Sequence, residues 1–301
     1  MLWFKNAIIY QLNKDNLLDK QAIEQAVNAC PFIPCSNIES TRSGWVSPYG
    51  EGENNPLLVE IDGQILLRLK KEIKILPASV IKQALNDKAA QQEQSLNRKL
   101  KKSEKLALKD EVYIDLLPRA FSKYQFVWLW IDTKQKQVII DSSSFKQAED
   151  ILALLRKEMG SLALIPYSTE IPLEKSLTTW VKQSLHFPSI LLGDEIELKD
   201  AIEENIIVKC KNQDVESQEI FVHIDSGKQV SKIKLIDESG VSFILNRDWT
   251  LKRIKFDNVI LDKNEEFLPE EKNLKLDADF ILMSNTLLKT FETLKNIINK
   301  L

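Results

Sequence analysis

Aromatic and β-branched residues dominate Leu2–Leu12 and predict a strand, and the apolar positions of Asp19–Ala29 predict a helix. Pro31, Pro34, Pro48 and Pro56, interspersed with Gly44, Gly50 and Gly52, then mark an irregular connection. Leu57–Ile61 and Gln64–Leu69 flank Asp62-Gly63, a pair that between apolar runs signals a hairpin. After Pro77 the period becomes helical, with Val80, Ile81, Ala84 and Leu85 on one apolar face. From Ser95 to Val112, Arg98, Lys102, Lys105 and Lys109 recur at spacings of four, three and four. At about 100° per residue they fall within roughly 60° of arc, opposite Leu96, Leu100 and Ala107, which predicts a helix with one basic and one apolar face.

Further along, Phe126–Ile131 and Gln137–Asp141 read as strands around a polar turn, followed by an amphipathic helix Phe145–Met159 that stops at Gly160. Leu162–Ile165 reads as a short strand and Leu173–Gln183 as a helix, and His186–Asp194 suits a boundary. Helices are expected near Asp194–Glu203 and Ser217–Asp225, and strands at Asn205–Cys210, Val230–Ile236, Val241–Asn246 and Thr250–Phe256. An acid-rich stretch, Asp262–Asp279, precedes a last helix, Phe280–Ile298. The fold class is α+β, with mixed helices and antiparallel sheets in four regions: 1–76, a basic helical arm 77–124 with a projecting loop, 125–185 and 186–301.

Composition narrows the chemistry. The 301 residues are 44% hydrophobic and 28% charged, enough to bury a core, and the eight glycines form neither GxGxxG nor GxxxxGK[ST]. A phosphate-cradling enzyme is therefore disfavoured. The start lacks the basic and apolar regions of a signal peptide and no long apolar run follows, so a cytoplasmic protein without membrane contact is expected. Cys30, Cys35 and Cys210 have no CxxC spacing and suit buried free thiols, and with only His186 and His223 neither a metal nor a cofactor is expected.

Charge is more informative in its distribution than in its total. Lys70–Asp110 holds eleven Lys/Arg against five acids, a local +6 in a chain of net charge −3, which leaves about −9 elsewhere. Lysines aligned on a helix neutralise phosphates and release counterions, giving sequence-independent affinity for nucleic acid; a solvated face that keeps the protein soluble is the competing explanation. The stripe has no aromatic residue to stack on bases, which favours duplex backbone over single strands. Lys209 and Lys211 would share a strand face with Gln213, either facing phosphates or guarding an edge strand. Pro118 should end the basic helix and place Phe121 near a projecting loop, as an interface anchor or folded back into the core. For metal-dependent nuclease chemistry the candidate carboxylates are Asp132, Asp141, Asp277 and Asp279, the last two able to share a strand face; neither set has a Glu-x-Lys at nuclease-like spacing, and solvated turn and cap acids are the favoured explanation. Ser142-Ser143-Ser144 has no histidine nearby in sequence to activate a nucleophile.

Several blocks resemble a known family: Met1-Leu2-Trp3-Phe4-Lys5-Asn6, Gly44-Trp45-Val46, Lys74-Ile75-Leu76-Pro77, Leu116-Leu117-Pro118-Arg119-Ala120-Phe121-Ser122, Trp130-Ile131-Asp132-Thr133 and Asp277-Ala278-Asp279-Phe280. They are similar, in order and over essentially the whole chain, to the bacterial recombination-associated RdgC family. The resemblance implies a nucleoid-associated, non-catalytic protein whose elongated, multi-lobed monomer forms a ring-shaped homodimer around duplex DNA. It implies little sequence preference and antagonism of the RecA recombinase. Lys74, Lys82, Arg98, Lys99, Lys101, Lys102 and Lys105, with Lys109 of the same stripe, match the family's basic helical region. Lys209, Lys211 and Gln213 match a basic strand end facing the hole, although Asn212 stands where a further lysine is expected. Arg119 and Phe121 match a loop that helps to close the ring. A metal-dependent exonuclease on duplex ends and a RecA-binding scaffold are the alternatives.

Overall fold

The computed structural model describes residues 2–12, 19–52, 55–160, 162–203 and 205–301, so Met1 of the opening block lies outside it. The first half of the chain forms β1 (Asn6–Leu12), α1 (Lys20–Ala29), β2 (Thr41–Val46), β3 (Leu58–Ile61), β4 (Gln64–Ile75), α2 (Ala78–Leu96), α3 (Lys102–Leu116), β5 (Phe121–Asp132), β6 (Gln137–Ile140), α4 (Phe145–Met159) and β7 (Leu164–Pro166). The second half forms α5 (Leu173–Lys182), β8 (Ile190–Asp200), β9 (Ile207–Lys211), α6 (Gln218–Asp225), β10 (Lys228–Asp237), β11 (Val241–Asn246), β12 (Leu251–Phe256), α7 (Asn258–Leu261) and α8 (Lys272–Ile298). The α+β expectation holds, with antiparallel pairing throughout the named strands.

The strands follow one path, β2-β4-β5-β6-β1-β12-β11-β10-β8-β9, with β3 also on β4 and β7 on β1. β1 joins two sheets: Ile8–Gln11 pair with β6, while Asn6 and Ala7 pair with Lys252 and Leu251 of β12. Alternation along the strands of the first sheet sends Ile8, Tyr10, Leu67 and Leu129 to a core with α1 and α4, and Ile9, Leu66 and Trp130 to a core with α8. The same α8 core receives Ile233, Leu235, Phe243 and Leu245 from the second sheet, and Trp130 meets Phe280 edge to face at 6.4 Å between centroids. Burial on this scale, about 25 cal/mol per Å² of apolar surface, is what fixes the two sheets around one long helix.

Several expectations need correction. Ile190–Asp200 is a strand, not a boundary followed by a helix at Asp194: Ile196 and Leu198 point into the core while Glu195 and Glu197 point out, a period of two. The connection after Pro31 contains β2, where Gly44 lets the Phe32 backbone cross so closely that a Cβ would approach it to 2.4 Å. The last helix begins at Lys272, so Asp277 and Asp279 lie on a helix rather than a strand. The three cysteines are free but half-buried, and burial pushes the Cys30 and Cys35 thiols up.

The basic segment is not one helix. α2 ends at Asn97, whose left-handed φ of 50° caps it, and α3 starts at Lys102 and runs back along α2. Two carboxylates hold the turn: Leu100 N–H donates to Glu93 and Lys101 N–H to Glu104. The small core of this hairpin is Leu85, Ala89, Leu100 and Leu108, so Ala107 and Leu96, expected on the apolar face, are exposed. The hairpin sits at the end of a ribbon in which β4 and β5 pair over twelve residues each, from Gln64 with Asp132 to Ile75 with Phe121.

Candidate nucleic-acid interface

Two basic surfaces emerge. On the hairpin, Lys102, Lys105 and Lys109 keep the expected spacing on α3, and all three are exposed. Arg98 leaves the stripe for the turn, where its guanidinium nitrogens approach Glu104 at 2.7 and 2.9 Å. That pairing, with the Lys101 N–H, holds the Glu104 carboxyl down at about 2. Lys105 pairs with Glu93 at 3.2 Å, and Lys88 crosses to Glu111 and Asp115 on α3. Lys82, Lys99, Lys101, Lys102 and Lys109 are exposed, and none of these five side chains has an acid partner among the described residues.

Lys74 is spent on the ribbon. Its ammonium lies 3.5 Å from Glu72, a carboxylate only 2% exposed that also accepts from the Ser122 hydroxyl and the Cys35 N–H. Burial pushes Glu72 up, but Ser122, Cys35 and Lys74 outweigh it and hold its pKa below the ordinary value. Arg119 ends a 3-10 turn and is exposed. Phe121 is 85% exposed, yet it is the first residue of β5, paired with Ile75, rather than part of a loop.

The second surface is the outer face of the second sheet. β9 sets Lys209 and Lys211 opposite Glu197 and Glu195, and Glu197 in turn pairs across β8 with Lys232, which faces Asn246. This row, Lys209-Glu197-Lys232-Asn246, crosses four strands on one face. Lys232 and Lys209 reach Glu197 at 2.8 and 3.3 Å, and Ser231 donates to it as well. Burial raises the Glu197 pKa, but these donors prevail and keep it low, so the carboxylate is charged and shared by two lysines.

Beside the row, Arg253 and Lys211 share Glu195 at 2.5 and 4.0 Å, and Lys234 takes Asp194 at 2.7 Å. Lys252 has no acid partner among the described residues. Six cations therefore stand over three sheet carboxylates, around a depression of about 340 Å³ continued by a shallower one with Asp214 at its edge. The backbone is shaped for this. A bulge between Ser242 and Ile244 of β11 leaves Arg253 at a left-handed φ of 52° on β12, turned towards Glu195. Gly193 lies under Lys234, where a Cβ would meet the lysine chain at 2.8 Å.

Lys209 and Lys211 share a face as their alternation requires, but Gln213 does not continue it. β9 stops at Lys211, Asn212 turns at φ 53°, and the Gln213 amide donates to Glu219 at 2.5 Å. Lys232, Lys234, Lys252 and Arg253 were missed from the sequence. Their only signal is a cation at alternate positions of predicted strands, which acquires meaning once β9, β8, β10, β11 and β12 are known to be neighbours.

The four candidate metal ligands are not gathered, and among the described residues no three His, Cys, Asp or Glu stand together as a metal-binding group. Asp132 caps its turn by accepting from Lys134 and Gln135 N–H, and Asp141 accepts from Lys5 and Asn6 N–H. Asp277 accepts from the Tyr49 hydroxyl at 2.9 Å and Asp279 from Asn264 at 3.0 Å. Ser142 bonds Ser144 and Gln147, and Ser144 caps α4. No helix among the described residues is long and apolar enough to cross a membrane.

Residues 2–301 match a family model described as "Putative exonuclease, RdgC". The chain is 45% identical over 287 residues to the recombination-associated protein RdgC of Edwardsiella ictaluri (strain 93-146), covering 95% of this chain and 94% of the relative. It is 43% identical over 301 residues to the protein of the same name from Yersinia pestis (strain Pestoides F), covering all of this chain and 98% of the relative. With a family model and two relatives matching over nearly their whole lengths, the chain belongs to the RdgC family of recombination-associated proteins.

Proposed function

We propose that the protein binds duplex DNA through its phosphates with little regard to sequence, and that it acts in recombination as a non-catalytic obstacle to RecA. The observation that carries this reading is the outer face of the second sheet, where five of six cations share three carboxylates and the sixth, Lys252, has no acid partner among the described residues. Cations held on a sheet in excess of their counter-charges exchange condensed counterions for phosphates, an interaction indifferent to base identity. The exposed lysines of α2 and α3 add a second set of such contacts.

A ring-shaped homodimer on the nucleoid is part of the proposal. It is supported by the family resemblance and by apolar groups left exposed around the end of the ribbon: Ile75, Val80 and Phe121. Closing two copies around DNA would double every phosphate contact and slow dissociation. An acidic exterior and a basic inner wall would reconcile the net charge of −3 with DNA binding.

The test is fluorescence anisotropy of two unrelated duplexes titrated across salt, with sedimentation to count protomers. Equal affinities with a steep salt slope, and a dimer weakened by Phe121→Ser, are expected. Flat salt dependence would remove the phosphate mechanism. Shortening of end-labelled duplex in Mg²⁺, lost in Asp132→Ala, would replace the obstacle by an exonuclease.

A further inference from the structure

One face of the β4–β5 ribbon alternates cations with aromatic rings. Tyr124, Phe126 and Trp128 occupy every second position of β5, and β4 sets Lys70 opposite Phe126 and Arg68 opposite Trp128. The Arg68 guanidinium lies 4.2 Å from the Phe126 ring centroid and 4.9 Å from that of Trp128. Lys70 Nζ lies 4.6 Å from the Tyr124 centroid and 4.7 Å from that of Phe32, which the loop after Pro31 lays across the ribbon. Tyr124 and Phe126 are each 46% exposed, while Trp128, at 6%, closes the inner end of the ladder against the core.

These cations are treated differently from those beside them. Neither Arg68 nor Lys70 has an acid partner among the described residues, whereas Lys74, two positions further on the same face, is paired with buried Glu72. Arg68 Nε is buried with no hydrogen-bond partner, and burial lowers the guanidinium pKa. An unpaired buried N–H is costly, and an acid at a neighbouring position would remove the cost. Cation–ring contacts that merely brace two strands would not require half-exposed rings or an unmatched guanidinium.

We propose that this ladder is a stacking site for unpaired bases of single-stranded nucleic acid, separate from the two phosphate-contacting surfaces. Aromatic faces and the guanidinium plane stack bases of any sequence, and the Lys70 ammonium beside them reaches phosphate oxygens. Alternate residues on a strand lie about 6.8 Å apart, twice the 3.4 Å per-nucleotide rise of a stacked strand, which suits a strand drawn out of helical stacking. The site goes beyond the duplex reading, because a duplex keeps its base faces stacked inside.

The experiment measures anisotropy of a short labelled thymidine strand, an abasic strand of equal length, and a duplex, with the full-length protein. The thymidine strand should bind about tenfold more tightly than the abasic one. Tyr124→Ser with Phe126→Leu should remove that preference and leave duplex affinity unchanged. Arg68→Lys keeps the charge but loses the plane, and should weaken thymidine binding without affecting the abasic strand; it decides the matter if near-UV circular dichroism shows the double variant misfolded. Equal binding of the two strands by the unaltered protein, or a loss that the abasic strand shares, would overturn the site. Failure of the duplex to bind would sink only the duplex reading.

Discussion

The lysines of α2 and α3 stand over a satellite core of Leu85, Ala89, Leu100 and Leu108, whereas those of β9, β10 and β12 stand over the core that also holds Trp180, Phe280 and Phe291. On the hairpin, acids lie near one another in sequence and pin the turn: Glu93 with Leu100 and Lys105, Glu104 with Arg98 and Lys101. On the sheet, the three acids all stand on β8 while their cations come from β9, β10 and β12, and each of two glutamates serves two cations. The difference shows two ways of presenting positive charge. The hairpin is a lightly anchored basic element that can change shape with its own local equilibrium, and the sheet is a rigid template whose spacing the core dictates.

The sharpest break between the two is stability. Phe280→Ala should cost about 3–5 kcal/mol and lower the melting temperature of the whole protein. Leu108→Ala should abolish hydrogen-exchange protection in α2 and α3 while the main transition barely moves. An equal fall in melting temperature for both would show that the hairpin is part of the global fold.

Salt dependence separates the surfaces next. If both touch phosphate, Lys232→Ala with Lys252→Ala, and Lys102→Ala with Lys109→Ala, should each reduce the slope of log affinity against log salt by about 2. A reduction from only one pair would assign the DNA to that surface.

Glu197→Gln sharpens the account of the sheet. It frees Lys209 and Lys232, so duplex affinity should rise several-fold, by about 1 kcal/mol or less per released charge. Its pKa is lowered in the folded state, so the carboxylate contributes stability above its ordinary value of 4.5 and loses it as the pH falls below. Glu197→Gln should therefore flatten the acid limb of the stability curve.

The smallest effect belongs to the hairpin turn. Glu104 is held at about 2 by Arg98 and the Lys101 N–H, so its contribution is complete above 4.5 and disappears as the pH falls through 2. Exchange protection of the Lys101 amide should follow that window, and Glu104→Gln should remove the dependence.

The sequence is most legible where local chemistry decides. Asp62-Gly63 closes its hairpin with both residues at positive φ, and Gly160 ends α4, because those turns depend on two or three adjacent residues. It misleads where tertiary packing overrides a local pattern. Glu195–Lys199 carries helix-compatible residues, yet the second sheet needs Ile196 and Leu198 on one face. The basic run near residue 100 is visible as a density of lysines, but Asn97, a residue that tolerates the left-handed region, ends α2 and leaves Arg98 in the turn, off the α3 stripe. The sheet surface and the ribbon ladder are invisible in one dimension, since their members come from strands scattered between Lys209 and Arg253, or between Phe32 and Trp128.

The sharing of β1 between two sheets has a consequence for how the molecule is made. Asn6 and Ala7 pair with β12, near the other end of the chain, and Ile8–Gln11 pair with β6. β1 is thus fastened in two steps, along Ile8–Gln11 once β6 is present and at Asn6 and Ala7 only once β12 is. Pairing of such high contact order is slow, and until it occurs an apolar strand with two unsatisfied edges is open to any chain nearby. Asn6–Gln11 are therefore the part of the sheet whose completion needs segments from both halves of the chain.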